Sequence, residues 1–300
     1  MLRATSLDDR RLIFDYIKNA DLRFIMLSVL FGILSHVSRA YRWKFMLAPM
    51  GYKPRFVNTI LAVLIAYLAN LGIPRSGEIL RATTLSSYEK IPFEKSFGTI
   101  IAERLVDLIF LLSFIFLALI LQYDLIWQVL REKQISLSSI IVAAVVTMIT
   151  FICLKFLFKK NHSMPINRIK TFLKGLSEGI LSFKSMTNKG AFVLHTIFIW
   201  IMYVAMFYVI KWTVPEMENL GLSALLPAFV IGGLTISATN GGIGIYPFSV
   251  ALMLSAFGIS NESGLAFGWI VWTSQTLMII VFGSLSFFVL PLVNRKKINF

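Results

Sequence analysis

Apolar residues in this sequence come in long blocks separated by short charged stretches. The clear blocks fall at roughly 22–38, 56–74, 97–121, 137–158, 191–212, 222–239, 247–257 and 264–291. A helix needs about 20 residues to cross a bilayer. By that measure 97–121, 137–158, 191–212 and 264–291 are predicted spans. A fifth runs over about 22–40, with Arg39 and Arg42 snorkelling and Tyr41 and Trp43 as interface anchors. The block at 247–257 is too short to cross alone. Within the basic stretch 159–190, Ile166, Ile169, Phe172, Leu173, Leu176, Ile180 and Phe183 recur close to helical spacing. That spacing predicts a cytoplasmic amphipathic helix on an anionic leaflet; an ordinary solvated loop helix fits it equally well.

Charge then changes the picture of which blocks cross. Stretch 39–55 holds five Lys/Arg and no acid, 159–190 holds seven and 294–300 three, so these share the cytoplasmic side. Stretches 122–136, 211–221 and 240–263 carry three Lys/Arg together and belong outside. Because 75–95, with four Lys/Arg, also reads as cytoplasmic, the block 56–74 must enter and leave on one face. By the same logic 222–257 dips in from outside and returns. The tally is nineteen Lys/Arg inside against eight outside, with Arg104 and Lys155 at membrane depth. The C-terminus is then cytoplasmic and the N-terminus external, an arrangement that predicts one further helix upstream and no cleavable signal.

Non-helical backbone at membrane depth is tolerated only against protein or a water-filled cavity. The two breaks are Asn70-Leu-Gly-Ile-Pro-Arg-Ser-Gly77 and Ala238-Thr-Asn-Gly-Gly-Ile-Gly-Ile-Tyr-Pro247. Each combines an Asn, glycines and a helix-stopping proline. Paired interruptions in two halves point to inverted repeats around a binding site.

Composition agrees with an all-α, polytopic membrane bundle forming a single domain over 1–300. Apolar residues make up 57% and charged residues 15%, and mean hydropathy is +0.77. The long blocks exclude a barrel. The net charge of +14 is explained by basic loops, and nucleic acid is not an expected partner, since no recognition motif accompanies it. Cys153 stands alone in an apolar run, so no disulfide can form within the chain.

The densest polar cluster is Arg75-Ser-Gly-Glu-Ile-Leu-Arg81, followed by Glu103-Arg104-Leu-Val-Asp107. Glu78 and Arg81 share a helix face, as do Glu103 and Asp107. Charges inside a span must pair or face water, so Arg75, Arg81 and Arg104 are expected to interleave with Glu78, Glu103 and Asp107. Two compatible readings stay open. One is an ion-pair network pinning the first re-entrant segment to the next helix. The other is a basic pocket for a phosphate-bearing headgroup, which arginine forks bind bidentately. Asn70 and Asn240 sit in the two breaks, and Gly241, Gly242 and Gly244 would turn backbone N–H groups toward an anion. No Lys-Ser/Thr follows that turn, so it is not a nucleotide loop. His36, His162 and His195 are dispersed, so no metal and no cofactor is expected. Trp269 and Trp272 read as an interfacial belt and Gln275 as an interhelical hydrogen-bonding group.

The runs Arg39-Ala-Tyr-Arg42-Trp43, Gly51-Tyr-Lys-Pro54, Tyr67-Leu-Ala-Asn70, Pro74-Arg-Ser-Gly-Glu-Ile-Leu-Arg81 and Gly98-Thr-Ile-Ile-Ala-Glu-Arg-Leu-Val-Asp107 closely resemble the flippase-like transmembrane family. That family is the membrane half of lysylphosphatidylglycerol synthases and also occurs as stand-alone proteins of about this length. Gly241-Gly-Ile-Gly-Ile resembles its Pro-Gly-Gly-(Leu/Ile)-Gly motif, with Asn240 where proline is usual. The resemblance implies spanning helices with two re-entrant segments and a role in handling polar lipids. It also implies that the soluble aminoacyl transferase domain of bifunctional members is not in this chain, so no enzyme activity and no catalytic residue is expected. The expected function is binding and translocating an anionic phospholipid or lipid-linked intermediate in the cytoplasmic (cell) membrane. The alternative is a non-transporting partner presenting lipid-linked substrate to a separately encoded synthase or glycosyltransferase. A third reading makes Glu103 and Asp107 an intramembrane acid–base pair.

Overall fold

The structure, a computed structural model, describes residues 7–123 and 166–295. Among them all regular structure is helical: α1 (Leu7–Lys18), α2 (Leu22–Leu47), α3 (Phe56–Gly72), α4 (Ser76–Glu89), α5 (Phe93–Leu121), α6 (Ile166–Ser185), α7 (Lys189–Tyr208), α8 (Leu222–Ala238), α9 (Ile245–Ser255) and α10 (Asn261–Asn294). Among the described residues four stretches are long and apolar enough to cross a membrane: Leu22–Met50, Phe93–Leu121, Lys189–Thr213 and Asn261–Asn294. They match four of the expected spans with longer ends. The fifth, at 137–158, lies outside the described residues. Leu108, Leu112 and Phe116 on α5 and Leu277, Leu285 and Phe288 on α10 face outward, which is stable only where lipid is the solvent.

The first break makes a tight antiparallel hairpin of α3 and α4. Arg75 takes a left-handed backbone (φ 64°) at the turn. The Asn70 side chain accepts from the Gly77 N–H at 2.8 Å, replacing a lost backbone partner. Gly77 is needed because the helices touch there: a Cβ would lie 2.0 Å from the Ala66 carbonyl oxygen. At the open end Asn58 donates to Glu89, and Arg55 pairs with Glu89 at 3.4 Å.

The second break makes the hairpin α8–α9, in which Gly232 lies under the Tyr246 ring. Its turn runs through Gly241, Gly242 and Gly244 at φ 64°, 74° and 73°, a conformation that disfavours side chains. The Thr239 hydroxyl accepts from the Gly242 N–H at 3.0 Å.

Helix α10, about 50 Å long at 1.5 Å per residue, carries both hairpins. Its N-terminal half packs on α9 through Gly264 against Ala251 and Gly268 against Pro247, and Trp272 donates to the Gly241 carbonyl at 2.8 Å. Further along, Gly283 meets Leu64 and Leu68 of α3, and Asn294 reaches Asn58. The hairpins therefore approach from opposite ends of α10 and meet tip to tip, where Asn240 Nδ2 donates to the Gly72 carbonyl at 3.3 Å. Trp272 thus pins the second tip to α10 and is not simply part of an interfacial belt. Gln275 Nε2 donates to Ser28 Oγ at 2.9 Å, tying α10 to α2.

Helix α2 lies antiparallel to α7, with Ser28 donating to Met206 O and Ser38 bonded to His195. Helix α6 docks along the start of α5, where Gly98 meets Leu176 and Gly179, and Lys95 pairs with Glu178 at 2.9 Å. Buried side chains gather in two main groups. Phe207, Val250, Leu254 and Phe267 lie around the second hairpin, and Trp43, Leu47, Leu85 and Ile100 beside the first.

Asn58 and Asn294 are both buried and exchange amide hydrogen bonds at 3.1 and 2.9 Å. Asn294→Leu leaves Asn58 Oδ1 without its donor and removes the Asn294 oxygen to which Arg55 donates. We expect a loss of about 1–3 kcal/mol, read as a lower melting temperature of the detergent-solubilised protein.

Candidate functional site

Helices α2, α4 and α5 converge beside the first hairpin and bring charges together inside the bundle. Helical spacing places Arg39 and Arg42 on one face of α2, and Glu103 and Asp107 on one face of α5. Glu103 pairs with Arg39 at 2.5 Å, Arg42 at 3.0 Å and Arg81 at 2.9 Å. Asp107 pairs with Arg39 at 2.6 Å and Arg42 at 3.0 Å. Arg42 also donates to Thr196 of α7 at 2.8 Å. The Arg81 guanidinium lies 3.8 Å over the Trp43 ring, whose N–H donates to Thr99. All three arginines and Glu103 are buried to within a few per cent.

A second layer is more open. Arg104 pairs with Glu78 at 2.9 Å and approaches Asp107 at 4.0 Å. The Arg104 side chain is 42% exposed and that of Glu78 20%. These two, with Arg39, Val63, Ala66, Tyr67, Asn70 and Arg81, line a narrow cleft of about 10 Å³, room for little more than one water. The Tyr67 and Tyr203 hydroxyls meet at 3.1 Å, and Arg39 donates to Tyr203 at 3.2 Å. Glu78 Oε2, Arg39 Nε and Arg81 Nε are buried without a hydrogen-bond partner among the described residues. Four arginines facing three carboxylates leave one positive charge in excess, which favours an anion.

The expected interleaving of three arginines with three carboxylates is corrected in its membership. Arg75 sits exposed at the hairpin turn, outside the network. Arg39 and Arg42 supply what it was expected to supply. They and Trp43 do not anchor at an interface, because α2 continues to Leu47 and buries all three. Burying their charge is affordable only because two carboxylates face them. Asn70 lines the cleft, whereas Asn240, Gly241, Gly242 and Gly244 form the opposing tip and do not line it. Among the described residues no cluster of His, Cys, Asp or Glu could hold a metal ion. The signal that could have found Arg39 and Arg42 is their three-residue spacing, complementary to the four-residue spacing of Glu103 and Asp107.

The family description "Lysylphosphatidylglycerol synthase TM region" matches residues 9–283. The chain is 34% identical over 99 residues to the UPF0104 membrane protein MJ1595 of Methanocaldococcus jannaschii, covering 32% of this chain and 30% of that one. It is 30% identical over 159 residues to the UPF0104 membrane protein PH1989 of Pyrococcus horikoshii, covering 50% and 46%. The matched stretches thus span less than half the length of these curated relatives. No solved structure matches the chain.

Proposed function

This chain belongs to the lysylphosphatidylglycerol synthase transmembrane-region family, and from that premise we propose that it binds an anionic polar lipid or lipid-linked headgroup and carries it across the cell membrane. The observation that carries the reading is the excess positive charge at a cleft inside the bundle, with the Arg104 fork partly open beside it. A phosphate accepts paired N–H donors from such a fork. The buried Arg39–Arg42–Glu103–Asp107 group holds the walls and leaves Arg104, Glu78 and Asn70 to meet the ligand. Hairpins α3–α4 and α8–α9 act as re-entrant segments from opposite faces, the C-terminus is cytoplasmic, and their meeting point is where a headgroup passes. Glu103 and Asp107 are each engaged by at least two guanidinium groups, which supports a non-catalytic role for both.

The test is lipid movement in proteoliposomes. Labelled phosphatidylglycerol should cross faster than in protein-free vesicles, and Arg104→Gln should slow it about tenfold while the melting temperature stays close to wild type. Wild-type vesicles no faster than empty ones would sink the translocation reading. If a separately encoded synthase or glycosyltransferase then co-purified stoichiometrically, presentation of lipid-linked substrate would replace it.

A further inference from the structure

The Arg104–Glu78 pair beside the cleft has exposed apolar neighbours on both of its helices. Ile79 and Leu80 follow Glu78 on α4 and are 52% and 42% exposed. Leu105 and Leu108, beside and one turn beyond Arg104 on α5, are 53% and 48% exposed. Arg104 and Glu78 thus pair among outward-facing apolar residues, and Arg104 lies within Phe93–Leu121, a segment apolar enough to span a membrane. A portal built for a free aqueous anion would be rimmed by polar groups, because an exposed apolar rim in water is unfavourable.

From this arrangement we infer that α4 and α5 form a lateral portal through which a phospholipid enters from the plane of the bilayer, with Glu78 as an exchangeable latch. The inference rests on the lipid-binding reading above and adds the route and the latch. The acyl chains stay on Ile79, Leu80, Leu105 and Leu108 while the phosphate reaches Arg104. Glu78 holds Arg104 at 2.9 Å through Oε1, while its buried Oε2 has no hydrogen-bond partner among the described residues. A carboxylate with one oxygen unpartnered exchanges on Arg104 with a phosphate, whose two non-bridging oxygens can both accept from the guanidinium fork. Its return ejects the headgroup. No covalent bond changes in either direction.

The experiment uses the full chain in phosphatidylcholine nanodiscs with two photoactivatable probes. One is phosphatidylglycerol carrying a diazirine in its acyl chain, the other diacylglycerol with the same chain. Adducts mapped by mass spectrometry should fall on residues 79–80 and 105–108 about tenfold more often with the phosphatidylglycerol probe. Leu252, exposed on α9, a helix that has no charged residue, should take both probes equally. Glu78→Gln should raise portal labelling by phosphatidylglycerol severalfold, and Arg104→Gln should reduce it to the diacylglycerol level. Should Arg104→Gln fail to fold, Glu78→Gln decides alone. Equal labelling by the two probes in the wild type, no response to Glu78→Gln, or competition by millimolar inorganic phosphate would each overturn the portal. Portal labelling without lipid movement in vesicles would leave the portal standing and remove translocation; lipid movement without portal preference would do the reverse.

Discussion

Glu103→Gln is expected to cost the folded protein about 3–5 kcal/mol, the largest loss anticipated from any single polar substitution in this chain. Glu103 is fully buried and accepts ion pairs from three arginines on two helices. An amide keeps the shape but removes the charge; Asp107 then meets Arg39 and Arg42 without Glu103, and Arg81 loses the carboxylate it pairs with. The penalty arises from the cations left behind, more than from the bonds lost. Extraction in mild detergent followed by size-exclusion chromatography and a thermal melt would read it. Glu103→Asp, which preserves charge at shorter reach, should recover part of the monodisperse protein. If Glu103→Gln melts within about 1 kcal/mol of wild type, the cluster does not hold the helices together.

The second large effect is expected from Gly77→Val. The Cβ position at residue 77 lies 2.0 Å from the Ala66 carbonyl oxygen and 2.8 Å from Asn70 Oδ1. Both neighbours belong to α3, and the first is backbone, so there is no flexible tip to move aside. Overpacking typically costs 1–3 kcal/mol; a backbone clash at a hairpin seam should reach about 3 kcal/mol or more. The added Cβ also crowds Asn70 Oδ1, the acceptor of the residue 77 N–H that closes the turn. Glu78 and Arg81 follow within one turn and would leave their partners on α5. Limited proteolysis at residues 73–75, resisted by wild type and not by the variant, would register the opened hairpin. An unchanged cleavage pattern would count against the seam.

Much of this architecture was legible because lipid imposes strong rules on sequence. Spans announce themselves by length, and Gly, Pro and Asn in Asn70–Gly77 and Ala238–Pro247 mark the two turns by their backbone needs alone. The acidic half of the charge cluster was legible too, since Glu103 and Asp107 stand well inside an apolar helix. The basic half was hidden by position. Arg39 and Arg42 close an apolar run, where long cations ordinarily reach for the interface, and only α2's continuation to Leu47 shows that they stay inside. Arg81 was likewise counted among loop charges. Removing these three buried residues from the inside tally leaves sixteen against eight, a smaller charge asymmetry than the loops alone suggest. The meeting of the two tips was not legible, because Asn240 and Gly72 are 168 residues apart and nothing local to either encodes the other.

The long α10 helix has a consequence for biogenesis. The bonds joining Asn58 to Asn294 bridge 236 residues, and the first hairpin leaves the ribosome long before the helix on which it rests. Until α10 inserts, Gly283 cannot cover Leu64 and Leu68, and the Asn58 amide has no Asn294 to pair with. Contacts that distant in sequence close slowly. During synthesis the charge cluster can assemble from α2, α4 and α5, but the assembled half must wait for its closing strut. The nascent chain is therefore most exposed to quality-control proteases in the interval before its last span is released into the membrane.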